Sequence, residues 1–378
     1  MSDNTQSTDY SLLSLILPKG TALPVVEAIG KAGASGIFEM TARGSVLTEG
    51  GFLQRMFPPP SPEQHLLQTL VPNEKVDAVT EAAVDAGNLH QGGSGAVFVI
   101  NCGEYSQSDG FPGSEVSDGT NGSGSSGAYA ADLEAICCIC EIGVADDIAK
   151  AALQSGAPGP TITFGEGGGL RDKIPLLRMT KGPEKEFVWC VVEKAEADNV
   201  FAEMARAGRI TEPGRGFMYT IPVDAGIVHV SSVVSTASHL ASMEQLIAAV
   251  DEIKGGKEWR VAADSSSGKG KALKTTFLEN LVGLYCIVPR DNYSDIYDTI
   301  LEAGAPGVST NFGVMLDADA GEGEQAQNEE WAVVYTSLGP VKPACASFAA
   351  ITAACADQPT WNCLVQVPSL KHCKMPDD

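Results

Sequence analysis

A chain that spells the same turn three times, each time after the same succession of patterns, is constrained to fold as three similar units. The turns are Gly33-Ala34-Ser35-Gly36, Gly156-Ala157-Pro158-Gly159 and Gly304-Ala305-Pro306-Gly307. Fifteen residues before each first glycine stands Pro18, Glu141 or Pro289, and each closes an apolar run: 11–17, 135–140 and 281–288. Between run and turn the apolar residues recur at helical spacing. They are Val25, Val26 and Ile29 in the first copy; Ile148, Ala151, Ala152 and Leu153 in the second; Ile296, Ile300 and Leu301 in the third. Strand, amphipathic helix and glycine stop in a fixed order mark internal repetition, which is read before any single motif.

The first two copies continue in the same way. After the first turn come Ile37–Gly44, a glycine- and proline-rich excursion, the run His65–Val71, a helical pattern from Glu74 to Ala86, the turn Gly87–Gly95 and the strand Ala96–Ile100. The second copy gives Thr161–Phe164, a long loop from Gly165 to Glu186, the run Phe187–Val192, a helix from Ala195 to Ala207, the turn Gly208–Gly216 and Phe217–Val223. The expected order is βαββαβ, an α+β class. A chain of 378 residues suits three units of about a hundred. The boundaries are 11–105 for the first unit, 106–131 for a Gly/Ser-rich tether, 132–226 for the second unit, 227–275 for a helical insertion or linker with its helix at 242–253, and 276–378 for a third unit whose second half is divergent.

Apolar residues make up 44% of the chain and aromatics only 6%, so the expected cores are aliphatic. No run approaches the ~20 apolar residues of a membrane span, and the polar start Met1-Ser-Asp-Asn-Thr-Gln lacks a signal-peptide pattern; the expected location is the cytoplasm. A net charge of −23 argues against a sequence-independent grip on nucleic acid or an anionic membrane. Cys137, Cys138, Cys140, Cys190 and Cys286 lie within apolar runs and read as buried, reduced thiols. Cys137 and Cys140 form one Cys-x-x-Cys on a strand, without a second pair to complete a zinc site.

At these residues the chain resembles the PII family of nitrogen and carbon regulators. The resemblance is carried by the repeated Gly-Ala-Ser/Pro-Gly, by Thr41-Ala-Arg-Gly44 entering the first long loop, by Pro183-Glu-Lys-Glu186 leaving the second, and by Gly208–Val223. PII proteins have ferredoxin-like subunits and are trimers, so the resemblance implies a single-chain pseudo-trimer of three tandem ferredoxin-like units. It also implies that adenine nucleotides lie in the clefts between units. One wall would be the glycine loop of the second unit, where Gly208, Gly214 and Gly216 expose backbone N–H groups and Arg209 and Arg215 supply charge. The opposite wall would be Arg43 and Gly44, or Gly165, Glu166 and Gly167, according to how the units wind. The matching turn of the first unit, Gly87–Gly95, has glycines but no Lys or Arg, and the matching stretch of the third, Ala356–Thr360, has neither glycines nor a cation, so at most one cleft is expected to bind. None of the long loops contains a tyrosine that could be nucleotidylated, and Arg171, Lys173, Arg178 and Lys181 make the second loop locally basic.

The five histidines are scattered, and no nucleophile or general-base constellation stands out. This favours a non-catalytic regulator with no required cofactor. It would bind a small anionic metabolite, with ATP, ADP or AMP as candidate effectors, and act on a protein partner such as a transporter or metabolic enzyme. The alternative is an enzyme, or the scaffold subunit of one, with a diverged cleft as its active site; a purely structural assembly protein is a third reading.

Overall fold

The computed structural model describes residues 10–48, 63–108, 129–130, 132–169, 183–212, 214–230, 233–235, 277–278, 281–303, 305, 307–316, 330–338, 348–353, 360–366 and 372–373. The first repeat contains β1 (Tyr10–Pro18), α1 (Ala22–Lys31), β2 (Ser35–Gly44), β3 (Val46–Thr48), β4 (Glu63–Pro72), α2 (Val76–Gly87), β5 (Gly95–Asn101) and β6 (Glu104–Gln107). The second contains β7 (Leu133–Glu141), α3 (Ala145–Gln154), β8 (Thr161–Gly169), β9 (Glu184–Glu193), α4 (Lys194–Ala207), β10 (Gly216–Val223), β11 (Ala225–His229) and β12 (Val233–Ser235). The third contains β13 (Phe277–Leu278), β14 (Val282–Pro289), α5 (Tyr293–Glu302), β15 (Gly307–Leu316), β16 (Glu330–Leu338), a helical stretch at 348–353, β17 (Trp361–Gln366) and β18 (His372–Cys373).

The strands of each repeat pair in one order. In the first it is β5-β1-β4-β2, in the second β10-β7-β9-β8, and in the third β17-β14-β16-β15, antiparallel throughout. The apolar runs are nearly continuous because each central strand is covered on both faces. Along β7, Leu133, Ala135, Cys137 and Ile139 enter one core, while Ile136, Cys138 and Cys140 enter another with α3 and α4. The first core draws side chains from all three repeats, including Phe38 and Met40, Trp189 and Tyr219, and Tyr285 and Trp331. The helices cover the other faces in three separate clusters.

The repeats are joined by their second strands, because β2, β8 and β15 each pair with the other two. The register is the same at every junction. The seventh residue after Gly36, Gly159 or Gly307 lies opposite the third residue after the matching glycine of the next repeat: Arg43 opposite Ile162, Glu166 opposite Thr310, and Val314 opposite Glu39. Gly165-Glu-Gly-Gly-Gly169, expected to open a loop, is therefore strand along its whole length. A β-carbon on Gly165 would stand 2.0 Å from the Thr310 carbonyl oxygen, so glycine here permits a close backbone approach.

The connectors also differ from expectation. The tether was expected to begin at Ser106, but β6 runs to Gln107 and pairs with β17 of the third repeat. The second unit was expected to end at 226 and the insertion to begin at Ile227, but β11 runs across that boundary and extends the first repeat's sheet along β5. Strand pairing with a distant edge overrides local composition at both places, satisfying backbone groups that a tether would leave to water. The expected helix at 242–253 and residues 49–62, 170–182 and 317–329 of the three long loops, with Arg171, Lys173, Arg178 and Lys181, lie outside the described residues.

Candidate functional site at the junction of the first and second repeats

The loops after α2 and α4 are built alike at four matching positions. Asn88 and Arg209 both take left-handed backbone, with φ of 51° and 53°. Leu89 and Ile210 turn inward, and their backbone N–H groups donate to the Val84 and Ala205 carbonyls; the N–H groups of Gln91 and Glu212 donate to the Asn88 and Arg209 carbonyls, and those of Ser94 and Arg215 to the Gln91 and Glu212 carbonyls. What separates the two loops is charge. In the second repeat Arg209 Nε lies 3.4 Å from Glu212, while Arg215 reaches Glu212 at 3.4 Å and Glu141 at 3.3 Å. The two pairs with Glu212 are solvent-facing and hold the guanidiniums only loosely, whereas the Arg215–Glu141 pair is half-buried.

The first repeat's loop is closed by β11. Gly93 N–H donates to the His229 carbonyl at 2.8 Å, and His229 Nδ1 lies 2.7 Å from the Leu89 carbonyl. A carbonyl only accepts, so Nδ1 carries the proton.

Of the two possible opposite walls, the structure joins Arg43 to the second repeat. Arg43 Nη1 and Nη2 donate to the two oxygens of Asp146 at 2.6 and 3.2 Å, and Nη2 donates to Glu186 at 3.4 Å. The Arg43 guanidinium sits 5.8 Å from the centre of the Phe164 ring. Glu186 in turn accepts from the Gly143 and Ala145 N–H groups at 2.7 and 3.2 Å, occupying the start of α3, which has no side-chain cap of its own. Arg43 and Arg215 thus hold the two ends of one turn, residues 141–146. Gly44 continues the pairing with Thr161, and Ser45 Oγ donates to the Pro160 carbonyl at 2.6 Å. Among the described residues the exposed large apolar side chains are Ile142, 60% exposed, and Phe164, 47% exposed, and both border this cluster.

Gly165, Glu166 and Gly167 belong to the next junction, paired with β15. There the Tyr293 hydroxyl donates to Glu166 at 3.4 Å, and burial, with the Glu166 charge second, pushes the phenol pKa up. At the third junction Val314 and Leu316 pack into the first repeat's helical core. One structural position therefore carries a cation, a carboxylate and an aliphatic side chain in turn.

No family model and no curated protein matches the chain. Among solved structures it is similar to a microcompartments protein from Desulfitobacterium hafniense DCB, 11% identical, covering 63% of this chain and 96% of that one at a TM-score of 0.19. It is also similar to an aspartate kinase from Synechocystis, 9% identical, covering 96% of this chain and 52% of that one at a TM-score of 0.18.

Sequence reasoning did not find Asp146, Phe164, Ile142 or Tyr293. Asp146 reads locally as an ordinary acidic residue in a helix's first turn, and its partner is 103 residues away. Among the described residues no group of three or more His, Cys, Asp or Glu side chains is placed to hold a metal ion, and no helix is long and apolar enough to cross a membrane.

Proposed function

We propose that the chain is a PII-like regulatory protein, three ferredoxin-like units in one polypeptide closed into a pseudo-trimer. It binds a small anionic effector, an adenine nucleotide first among the candidates, where the first unit meets the second, and controls a partner protein through its long loops. The architectural part is supported by the shared strand order and by the repeated register of β2, β8 and β15. The functional part is carried by one observation: Arg43 and Arg215 converge on the 141–146 turn beside the exposed Phe164 and Ile142. Cations next to an apolar, partly aromatic surface suit a ligand with an anionic group and a flat ring. The transporter or enzyme partner and the cytoplasmic setting rest on the family resemblance.

Isothermal titration with ATP, ADP and AMP, alone and with Mg²⁺ and 2-oxoglutarate, tests the reading. About one site per chain is expected. Arg43→Ala, and the double variant Arg209→Ala/Arg215→Ala, should each weaken binding about 10-fold or more, the effect of removing a charge-assisted hydrogen bond. No heat with any nucleotide would overturn the reading.

A further inference from the structure

Resting on that nucleotide-binding reading, we infer that Asp146 is a built-in competitor for the effector's anionic group. Two carboxylates hold Arg43, and their situations differ. Glu186 is only 6% exposed, and its second oxygen is tied to the Gly143 and Ala145 N–H groups, so it is part of the turn. Asp146 is 69% exposed and grips Arg43 through two contacts across the junction, one to each carboxylate oxygen. Rotation about its side chain takes it into water without breaking the fold, and the two guanidinium donors it occupies are those a phosphate would use. The second residue of the corresponding helix is Leu23 in the first repeat and Ser294 in the third, and Arg43 itself is replaced by Glu166 and Val314. The cation and its internal rival thus occur together at this junction and at neither of the others.

An incoming anion must displace Asp146, so the apparent affinity is the intrinsic affinity reduced by the fraction of molecules in which Arg43 is free. The pair also sets a charge threshold, because a ligand that offers Arg43 less than a full carboxylate's attraction leaves it shut.

The test is titration of the full chain with ATP and with ADP, comparing wild type with Asp146→Asn, Asp147→Asn and Arg43→Ala/Asp146→Asn. Asp147 is one residue further along the same exposed turn, so its variant makes the same change in net charge without touching Arg43. Asp146→Asn should tighten nucleotide binding about 3- to 10-fold, from release of a partly shielded bidentate pair. Asp147→Asn should change it less than about 2-fold, and Asp146→Asn should lose its effect when Arg43 is alanine. Equal gains from Asp146→Asn and Asp147→Asn, or weaker binding in Asp146→Asn, would overturn the competitor while leaving the nucleotide site standing. Absence of binding in wild type and every variant would overturn both.

Discussion

The cysteines show how burial decides what a residue can do. Cys102, Cys137, Cys138, Cys140, Cys190 and Cys286 are all buried as free thiols, and the alternation of β7 sends Cys137 to the shared core and Cys138 and Cys140 beneath the helices. Burial pushes the Cys190 thiol up to about 12; for Cys140 burial comes first and the neighbouring Glu186 charge second, again to about 12. Cys137 is raised as well, by burial. The thiolate is the nucleophile, and at pH 8 a group with a pKa near 12 holds only about one part in ten thousand of it. Iodoacetamide at pH 8 should therefore leave Cys137, Cys140 and Cys190 unmodified in the native protein and label them in denaturant, as read by peptide mass mapping. Labelling of Cys140 at the rate of a free thiol would contradict the packing of β7. The same shifts fix the sign of the alkaline response. Protonated thiols favour the fold, so their contribution is complete below the unfolded thiol's pKa of about 8.5 and is lost as pH climbs towards 12. The urea midpoint should fall across that window.

The strands that join the repeats depend on close backbone approach. A β-carbon on Gly165 would meet Thr310 O at 2.0 Å, and one on Gly313 would meet Glu39 O at 2.1 Å and the Phe38 ring at 2.8 Å. The nearest obstacle at each position is a backbone carbonyl oxygen, which cannot swing aside. Gly165→Ala and Gly313→Ala should each destabilise the chain by about 1–3 kcal/mol in urea unfolding, whereas Gly92→Ala, which meets nothing within 4 Å, should stay within about 0.5 kcal/mol of wild type. These junctions also mark where sequence reading stops. Leu12 to Leu17, Ile136 to Cys140 and Val282 to Val288 announced their strands through apolar content, and Val25, Val26 and Ile29 announced α1 through spacing. The pairing of Glu104–Gln107 with β17, and of Ala225–His229 with β5, left no local trace, because the partner supplies the reason for the strand and stands more than a hundred residues away. At the candidate site Arg209 and Arg215 were visible in a glycine-rich turn, and Arg43 in the Thr41–Gly44 stretch that enters the first long loop. The carboxylates that hold them, Asp146 for Arg43 and Glu141 for Arg215, became visible only once the strands were in register.

Across the whole molecule, each repeat is held to the others at more than one edge. The first contributes β2 to both neighbouring second strands, receives β11 on β5, and extends β6 onto β17, while its inner sheet face enters the core shared by all three. If closure in cis uses up these edges, the chain has no need of further copies: light scattering should give the mass of one 378-residue chain and not three times it. A second consequence separates a closed ring from beads on a string. Introduce a protease site between Gly122 and Ser123, in the Gly/Ser-rich connector, and cut it. Beads would part on a sizing column, since the connector would be their one link. In a ring, the fragment bearing the first repeat stays seated through β2, β5 and β6, and the nick removes only the effective concentration that the covalent link had supplied. The cut protein should therefore elute as a single species at micromolar concentration and melt at a lower temperature than the intact chain. Its melting point should rise with protein concentration, as expected where folding and association have become one equilibrium. Co-elution together with a concentration-dependent midpoint is an outcome that independent units cannot produce.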